Sequence, residues 1–195
     1  NHVGYLKIVG IGPNADLEVE SKKIRAAVLE LFDKKINQWI IDLRYNGGGN
    51  IHPMMEGIAT LIGDGTVGSI TNLNNKKLFD WEIKNGNFIY DGFQAVELPN
   101  QPAFLELPKI AVLTSRWTVS SGELVATALK GRHNTKFFGE STGGFTTNTN
   151  WEIINNQLIV SISSGIYADR NGTIYEYNVP VDVEIPFEVE INPEK

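Results

Sequence analysis

Apolar and polar positions change period several times along the first third of the chain. Residues 3–11 are β-branched and apolar up to a Gly-Pro pair, which predicts a strand. Residues 17–35 repeat apolar side chains at the i, i+3, i+4, i+7 spacing of an amphipathic helix. The short apolar run 38–45 is typical of a buried strand, and 53–63 of a second helix. The order strand, helix, strand, helix predicts an α/β fold.

The pattern changes over residues 65–92, where apolar and polar positions alternate around Asn85-Gly86. Asn-Gly between two alternating runs is a strong hairpin signal. We therefore interpret this segment as a small β insertion.

The α/β order then resumes with a strand over 109–115, a helix over 120–130 and a strand over 135–140. A β meander follows, and we expect a single domain over residues 1–195. The turns of the meander are predicted at Asn155-Asn156 and Asn171-Gly172.

Composition narrows the classes of function. The 195 residues hold 17 basic and 23 acidic side chains, a net charge of −6, so nucleic acid and anionic membrane surfaces are poor partners. The chain has no cysteine, which excludes disulfides and thiolate sites. No apolar run approaches the roughly 18 residues of a membrane span, and no cluster has metal-ligand spacing. We expect no transmembrane segment, no metal and no cofactor.

Two interpretations compete for the serine pair at the start of the helix over 120–130. Ser120 and Glu123 have the S-x-x-E spacing of a capping box, a cap worth about 1 kcal/mol. A serine on a sharp strand-to-helix turn is also the position of a nucleophile, beside helix N–H groups that can hold an oxyanion. The local spacing alone favours the cap.

Two glycine turns follow predicted strands elsewhere in the chain. Residues 42–49 (DLRYNGGG) and 138–145 (FGESTGGF) both let the backbone approach a ligand closely. The first lacks the Gly-Lys-Ser/Thr of a phosphate loop. Strand ends gather at one edge of an α/β sheet, so we expect both turns to lie near Ser120.

Five segments occur here in the order seen in the C-terminal processing (tail-specific) serine peptidase family, and they span nearly the whole chain: GYLKI, IIDLRYNGGGN, KIAVLTSRWTVSSGELVATALKG, FFGESTGGFTT and ADRNGTIY. The chain most resembles the nisin-resistance-protein-like branch, which lacks a PDZ domain. That branch has alanine where Val119 precedes Ser120. The resemblance implies a ClpP/crotonase-like core of mixed β-sheet with flanking helices, and cleavage of peptides near their C-termini.

The resemblance assigns roles by position. Ser120 is the implied nucleophile, with Ser121 as the fallback. The backbone N–H groups of Ser121 and Gly48 would form the oxyanion hole. The residues implied to bind substrate are Gly47, Gly49, Gly143, Gly144 and Phe145.

The five matching segments do not identify the general base. Phe145 stands where the Ser-Lys branch has its lysine, so a Ser-Lys dyad is not supported, and Lys136 is expected to be solvated. The Ser-His branch has its histidine in an Asp-Gly-His type motif upstream of the GYLKI strand. The chain begins at this strand with Asn1, so we expect the base to lie upstream and these 195 residues alone to be nearly inactive. His52, three residues after the glycine run, is a further candidate.

Other polar and aromatic residues have structural interpretations. We expect Asp42 and Arg44 to form an ion pair that brackets the glycine turn, and Glu140 to orient the last turn. His133 is expected on the surface and His2 at the terminus. The tryptophans are expected in the core or a cleft wall: Trp39, Trp81, Trp117 and Trp151.

The function expected from the residues and the resemblance is that of a serine endopeptidase acting through a Ser120 acyl-enzyme. Its partner would be an extended C-terminal segment that pairs with a strand beside the glycine turns. The resemblance implies an exported or surface-anchored bacterial protein. Two alternatives stay open: a non-catalytic peptide-binding relative, and a crotonase-type acyl-CoA enzyme.

Overall fold

A computed structural model describes residues 2–99 and 104–186, which contain two five-stranded sheets and three helices. The helices are α1 (Leu17–Asp33), α2 (Ile51–Ile62) and α3 (Ser121–Leu129). The strands are β1 (Gly4–Lys7), β2 (Gln38–Asp42), β3 (Gly65–Thr71), β4 (Lys77–Lys84), β5 (Asn87–Tyr90), β6 (Lys109–Thr114), β7 (Thr135–Gly139), β8 (Thr147–Asn155), β9 (Leu158–Asp169) and β10 (Val183–Glu184).

The first sheet is parallel and has the strand order β1-β2-β6-β7-β10. Its inner face presents a buried row in which Ile41 pairs with Val112, and Val112 with Phe137. Helices connect the successive strands β1, β2 and β6, β7, as parallel pairing requires. All carboxyl ends of these strands therefore meet at one edge, and the predicted α/β fold is confirmed.

The second sheet is antiparallel and has the order β5-β4-β3-β9-β8. Residues 65–92 form its first three strands, with the expected hairpin at Asn85-Gly86. These strands are continuous with the rest of the sheet, because β3 pairs with β9 of the predicted meander. A short hairpin buries too little surface to be stable alone. Here Trp81 and Phe88 are fully buried in the common core.

A buried ion pair joins α1 and α2 to the second sheet. Arg25 Nη2 donates to Glu56 Oε1 at 2.9 Å, and Glu56 Oε2 accepts the Phe88 N–H at 2.6 Å. Both side chains of the pair are almost fully buried. Burial lowers the pKa of Arg25 and raises that of Glu56, and each charge opposes the other's shift.

Replacing Glu56 with alanine is expected to lower the free energy of unfolding by about 3–5 kcal/mol, because it leaves the buried Arg25 charge without its partner. Urea unfolding followed by circular dichroism measures the change. Glu18→Ala is the matched control, since Glu18 pairs with Lys22 on the exposed surface, where about 0–1 kcal/mol is expected. Equal losses in the two variants would contradict this role of Glu56.

Across residues 2–99 and 104–186, the structure contains no helix with the length and apolar character that a membrane crossing needs.

Candidate active site

Ser120 occupies a sharp turn between β6 and α3, at the carboxyl edge of the parallel sheet. Its backbone angles are φ 54° and ψ −121°. Positive φ is costly for a residue with a Cβ, so the surrounding structure must hold it. The Val119 N–H donates to Asn46 O at 3.0 Å, and the Thr118 N–H to Ser115 O at 2.9 Å. The turn thus fixes Ser120 against the loop that follows β2.

The capping box predicted from Ser120 and Glu123 is present at the same turn. The Ser120 N–H donates to Glu123 Oε2 at 2.9 Å. The Glu123 N–H is also satisfied by the Ser120 carbonyl oxygen at 2.8 Å. Because a backbone oxygen already serves this N–H, the cap does not depend on the Ser120 hydroxyl. The cap and the exposed strand-to-helix turn therefore coexist.

The Glu123 carboxylate joins this turn to the glycine turn after β7. It is fully buried, and Oε2 accepts a second N–H from Phe145 at 2.7 Å. Oε1 accepts the Thr142 hydroxyl at 2.6 Å and the Gly144 N–H at 2.8 Å. Burial raises the pKa of this carboxyl, and the four hydrogen bonds oppose the rise. All four partners donate, so the ionised form fits the site.

The loop after β2 touches the serine turn. At Gly48, whose φ is 87°, an added Cβ would lie 2.8 Å from the Ser120 Cβ and 3.1 Å from the Ser121 nitrogen. Only glycine permits this approach. The Ser121 hydroxyl donates to Gly49 O at 2.6 Å. The three sequence segments therefore meet at one sheet edge, as expected.

The two predicted oxyanion donors differ in availability. No described residue accepts the Ser121 N–H at the start of α3. The Gly48 N–H donates to Asn46 Oδ1 at 3.0 Å. Gly48 can therefore serve an oxyanion only by sharing or releasing this hydrogen. The Ser121 hydroxyl is already hydrogen-bonded to Gly49 O, which favours Ser120 over Ser121 as the candidate nucleophile.

The residues predicted to bind substrate in the second glycine turn have their N–H groups engaged within the protein. Gly143 donates to Thr118 O at 2.9 Å, while Gly144 and Phe145 donate to Glu123. A substrate could contact this turn only through carbonyl groups or the Phe145 ring, which is 64% exposed. The N–H groups of Gly47 and Gly49 have no acceptor among the described residues.

The predicted ion pair of Asp42 and Arg44 is confirmed. Arg44 donates to the carboxylate through Nε at 3.0 Å and Nη2 at 2.7 Å, and the Tyr5 hydroxyl adds a bond of 2.6 Å. Burial favours a higher pKa for Asp42, but the hydrogen bonds from Arg44 and Tyr5 lower it. Ser115 Oγ then donates to Arg44 O at 2.5 Å, which ties this bracket to the serine turn.

Glu140 contributes to the same edge of the sheet, beside the serine turn. It accepts Arg116 Nη1 at 2.6 Å and the Arg116 N–H at 3.2 Å. It therefore makes an exposed contact between the end of β7 and the loop that follows β6.

His52 lies near the start of α2 against three aromatic rings. Its ring centroid is 5.7 Å from that of Phe88, and 6.1 Å from those of Tyr90 and Phe93. Burial lowers its pKa, so the neutral imidazole dominates near pH 7. Within the described ranges, its buried Nδ1 has no hydrogen-bond partner, and no histidine is bonded to Ser120.

The remaining predictions about side chains are largely confirmed. Lys136, His133 and His2 are exposed. Trp39 and Trp81 are buried in the core, whereas Trp117 is 53% exposed beside the serine turn. The side chain of Trp151 lies outside the described part of the structure.

No group of three or more histidine, aspartate or glutamate side chains that could hold a metal ion occurs within residues 2–99 and 104–186.

A serine with positive φ at a strand-to-helix turn, beside a glycine loop at the carboxyl edge of a sheet, is an arrangement also found in α/β-hydrolases. Comparison with known proteins identifies the family. The model of peptidase family S41 matches residues 2–185, and the chain belongs to this family, that of the C-terminal processing peptidases.

Two curated proteins are similar to this chain in sequence. The nisin-resistance protein of Lactococcus lactis subsp. lactis is 32% identical over 155 residues, which are 80% of this chain and 48% of that protein. The chloroplastic carboxyl-terminal-processing peptidase 2 of Arabidopsis thaliana is 27% identical over 143 residues, 73% of this chain and 24% of that protein. The chain thus spans about half or less of the length of these relatives.

Solved structures share the fold. A lipoprotein from Streptococcus agalactiae superposes with a TM-score of 0.73 at 25% identity, covering 94% of this chain and 62% of that one. The photosystem II D1 C-terminal processing protease gives a TM-score of 0.71 at 20% identity, covering 94% and 42%.

Proposed function

We propose that this chain is the core of a serine endopeptidase that cleaves peptides or proteins near their C-termini through an acyl-enzyme on Ser120. The observation that most supports this role is the strained Ser120 backbone at the start of α3, in contact with Gly48. Membership of a peptidase family supports the reaction class. Membership of this family gives no support to the alternative of a crotonase-type acyl-CoA enzyme.

In the proposed reaction, the residues at this edge of the parallel sheet have separate roles. The Ser120 oxygen attacks the scissile carbonyl, a C–O bond forms, and the hydroxyl proton passes to a general base. The Ser121 N–H, and Gly48 once released from Asn46, would hold the oxyanion at the N-terminus of α3. The C–N bond then breaks, the amine leaves with the proton, and water hydrolyses the ester.

We propose that the general base is a group that makes no hydrogen bond to Ser120 within the described residues. No described histidine or lysine is hydrogen-bonded to Ser120, and the matched relatives extend well beyond the matched region. The lack of a bonded base is also the observation that favours the second candidate function, a peptide-binding relative without turnover.

His52→Gln in the full-length protein is expected to lower kcat/KM less than about tenfold, because His52 packs among aromatic rings without a bond to Ser120. Initial rates on a fluorogenic peptide measure the effect, and His133→Gln on the exposed surface is the control. A loss of about 1,000-fold or more, with the fold intact, would make His52 the base.

The proposed substrate is an extended peptide or the C-terminal segment of a protein. We also propose an exported or surface-anchored location in a bacterium, because the relatives include a lipoprotein and a nisin-resistance protein.

The test of the proposed function is a cleavage map. The full-length protein is incubated with unstructured peptides of 20 residues, and the products are identified by mass spectrometry. We expect cleavage within the last few residues, with none by the Ser120→Ala variant. Tight peptide binding without any cleavage would instead support the non-catalytic alternative.

A further inference from the structure

The edge strand β8 has backbone groups that face away from its partner. β8 pairs only with β9 in the described part of the second sheet. Thr147 pairs with Ile166, and the neighbouring Tyr167 N–H donates to Thr146 O at 3.0 Å. In an antiparallel ladder this arrangement turns the N–H and C=O of Thr147 outward. No described residue is bonded to either group.

This edge begins beside the serine turn. The Ser120 N–H and the Phe145 N–H donate to the same Glu123 Oε2, at 2.9 and 2.7 Å. Phe145 precedes Thr147 by only two residues. The Glu123 carboxylate therefore links the backbone of Ser120, the proposed nucleophile, to the segment that leads into the outward-facing groups of β8.

Among the residues that the structure describes, this edge lacks the usual protection of exposed strands. Natural proteins blunt such edges with lysine, proline or a covering segment. β8 contains neither lysine nor proline, and Glu152 is its one charged residue. An unprotected edge of nine residues is suited to pairing with another extended segment.

A cavity of about 650 Å³ opens next to Thr147. Its wall includes Gly165 and Ile166 of β9, the Tyr177 segment, and Leu73, which is 87% exposed. Glu176 is the one charged side chain among the lining residues. The cavity therefore suits a neutral or basic side chain and disfavours an acidic one.

We propose that the β8 edge at Thr147 is the docking strand for the substrate, an extended polypeptide that pairs with the Thr147 N–H and C=O. A neutral or basic side chain of this segment enters the cavity beside Thr147. Strand addition of this kind takes affinity from backbone bonds and specificity from side-chain pockets. The inference rests on the proposed peptidase function and names the surface that presents its substrate.

The test uses the full-length protein in the Ser120→Ala background and a fluorescein-labelled ten-residue peptide of valine, threonine and alanine. Adding Thr147→Pro removes the outward N–H, which an edge strand tolerates, and is expected to weaken binding about tenfold or more by fluorescence anisotropy. Thr147→Val keeps the N–H and should stay within about threefold of the parent. Circular dichroism checks that each variant folds.

A second measurement leaves the protein unchanged. Single N-methylation is moved along the peptide, and one or two positions are expected to lose about tenfold in affinity because they lose a backbone bond. Uniform tolerance of N-methylation, or unchanged binding by the Thr147→Pro variant, would overturn the docking assignment. So would a concentration-dependent dimer that this proline abolishes, because the edge would then pair with a second copy.

The outcomes separate this inference from the proposed function. Fluorophosphonate labelling at Ser120 of the otherwise unaltered protein does not depend on the β8 edge. Labelling without any peptide binding would overturn the docking strand and leave the nucleophile standing. Peptide binding through Thr147 without labelling would support the edge and remove the acyl-enzyme.

Discussion

Ser120→Ala in the full-length protein is expected to reduce kcat by about 10⁴-fold or more, because it removes the oxygen that we propose as the nucleophile. Hydrolysis of a fluorogenic peptide measures the loss. The turn should survive the change, since the Ser120 backbone N–H and carbonyl make the contacts to Glu123. The free energy of unfolding is therefore expected to stay within about 1 kcal/mol of the parent.

The matched control is Ser121→Ala, the same chemical change at the adjacent position. Its hydroxyl bonds Gly49 O, but its N–H, the proposed oxyanion donor, is kept. We expect a loss of no more than about tenfold. The reverse order of effects would move the nucleophile to Ser121.

Glu123→Gln is expected to lower kcat about 100-fold and to destabilise the fold by about 2–4 kcal/mol. Each carboxylate oxygen accepts two donors, and an amide must replace one oxygen with an NH₂ group that faces donors. The Ser120 turn and the Phe145 turn would then separate. Steady-state kinetics and urea unfolding measure the two effects.

Glu140→Gln provides the control for Glu123. It makes the same change at the same sheet edge, but its partner Arg116 is largely exposed. We expect less than about 1 kcal/mol and little change in kcat. Equal effects at the two positions would show that Glu123 has no special role in holding the site.

The helices and the parallel strands follow from local pattern because each has its own periodicity. α1 ends at Asp33, two residues before the predicted limit. α2 starts at Ile51 instead of residue 53, because the Asn50 side chain accepts the His52 N–H and caps the helix earlier. The first strand ends at Lys7, since Ile11 pairs only as a single bridge with Gly49. Such limits depend on tertiary contacts.

The pairing of β3 with β9 could not be predicted in this way. An alternating pattern shows that a strand has one buried face, but it does not identify the neighbour across about 100 residues. Residues 65–92 therefore resembled an insertion by sequence.

At the site, the sequence correctly predicted that the serine, the glycine loop and the second glycine turn lie at one edge of the sheet, because all three follow parallel strands. The linkage through Glu123 was missed, since its partners Thr142, Gly144 and Phe145 lie 19 to 22 residues away. The engagement of the Gly48 N–H by Asn46 was also missed. An Asn two residues before a glycine is the local signal for such a turn.

Labelling of the full-length protein with a fluorophosphonate probe, followed by peptide mapping, tests directly whether Ser120 is the nucleophile. We expect one adduct, on Ser120, that disappears in the Ser120→Ala variant and persists in Ser121→Ala. Equal labelling of the Ser120→Ala variant, or an adduct on another residue, would contradict the assignment of Ser120 as the nucleophile.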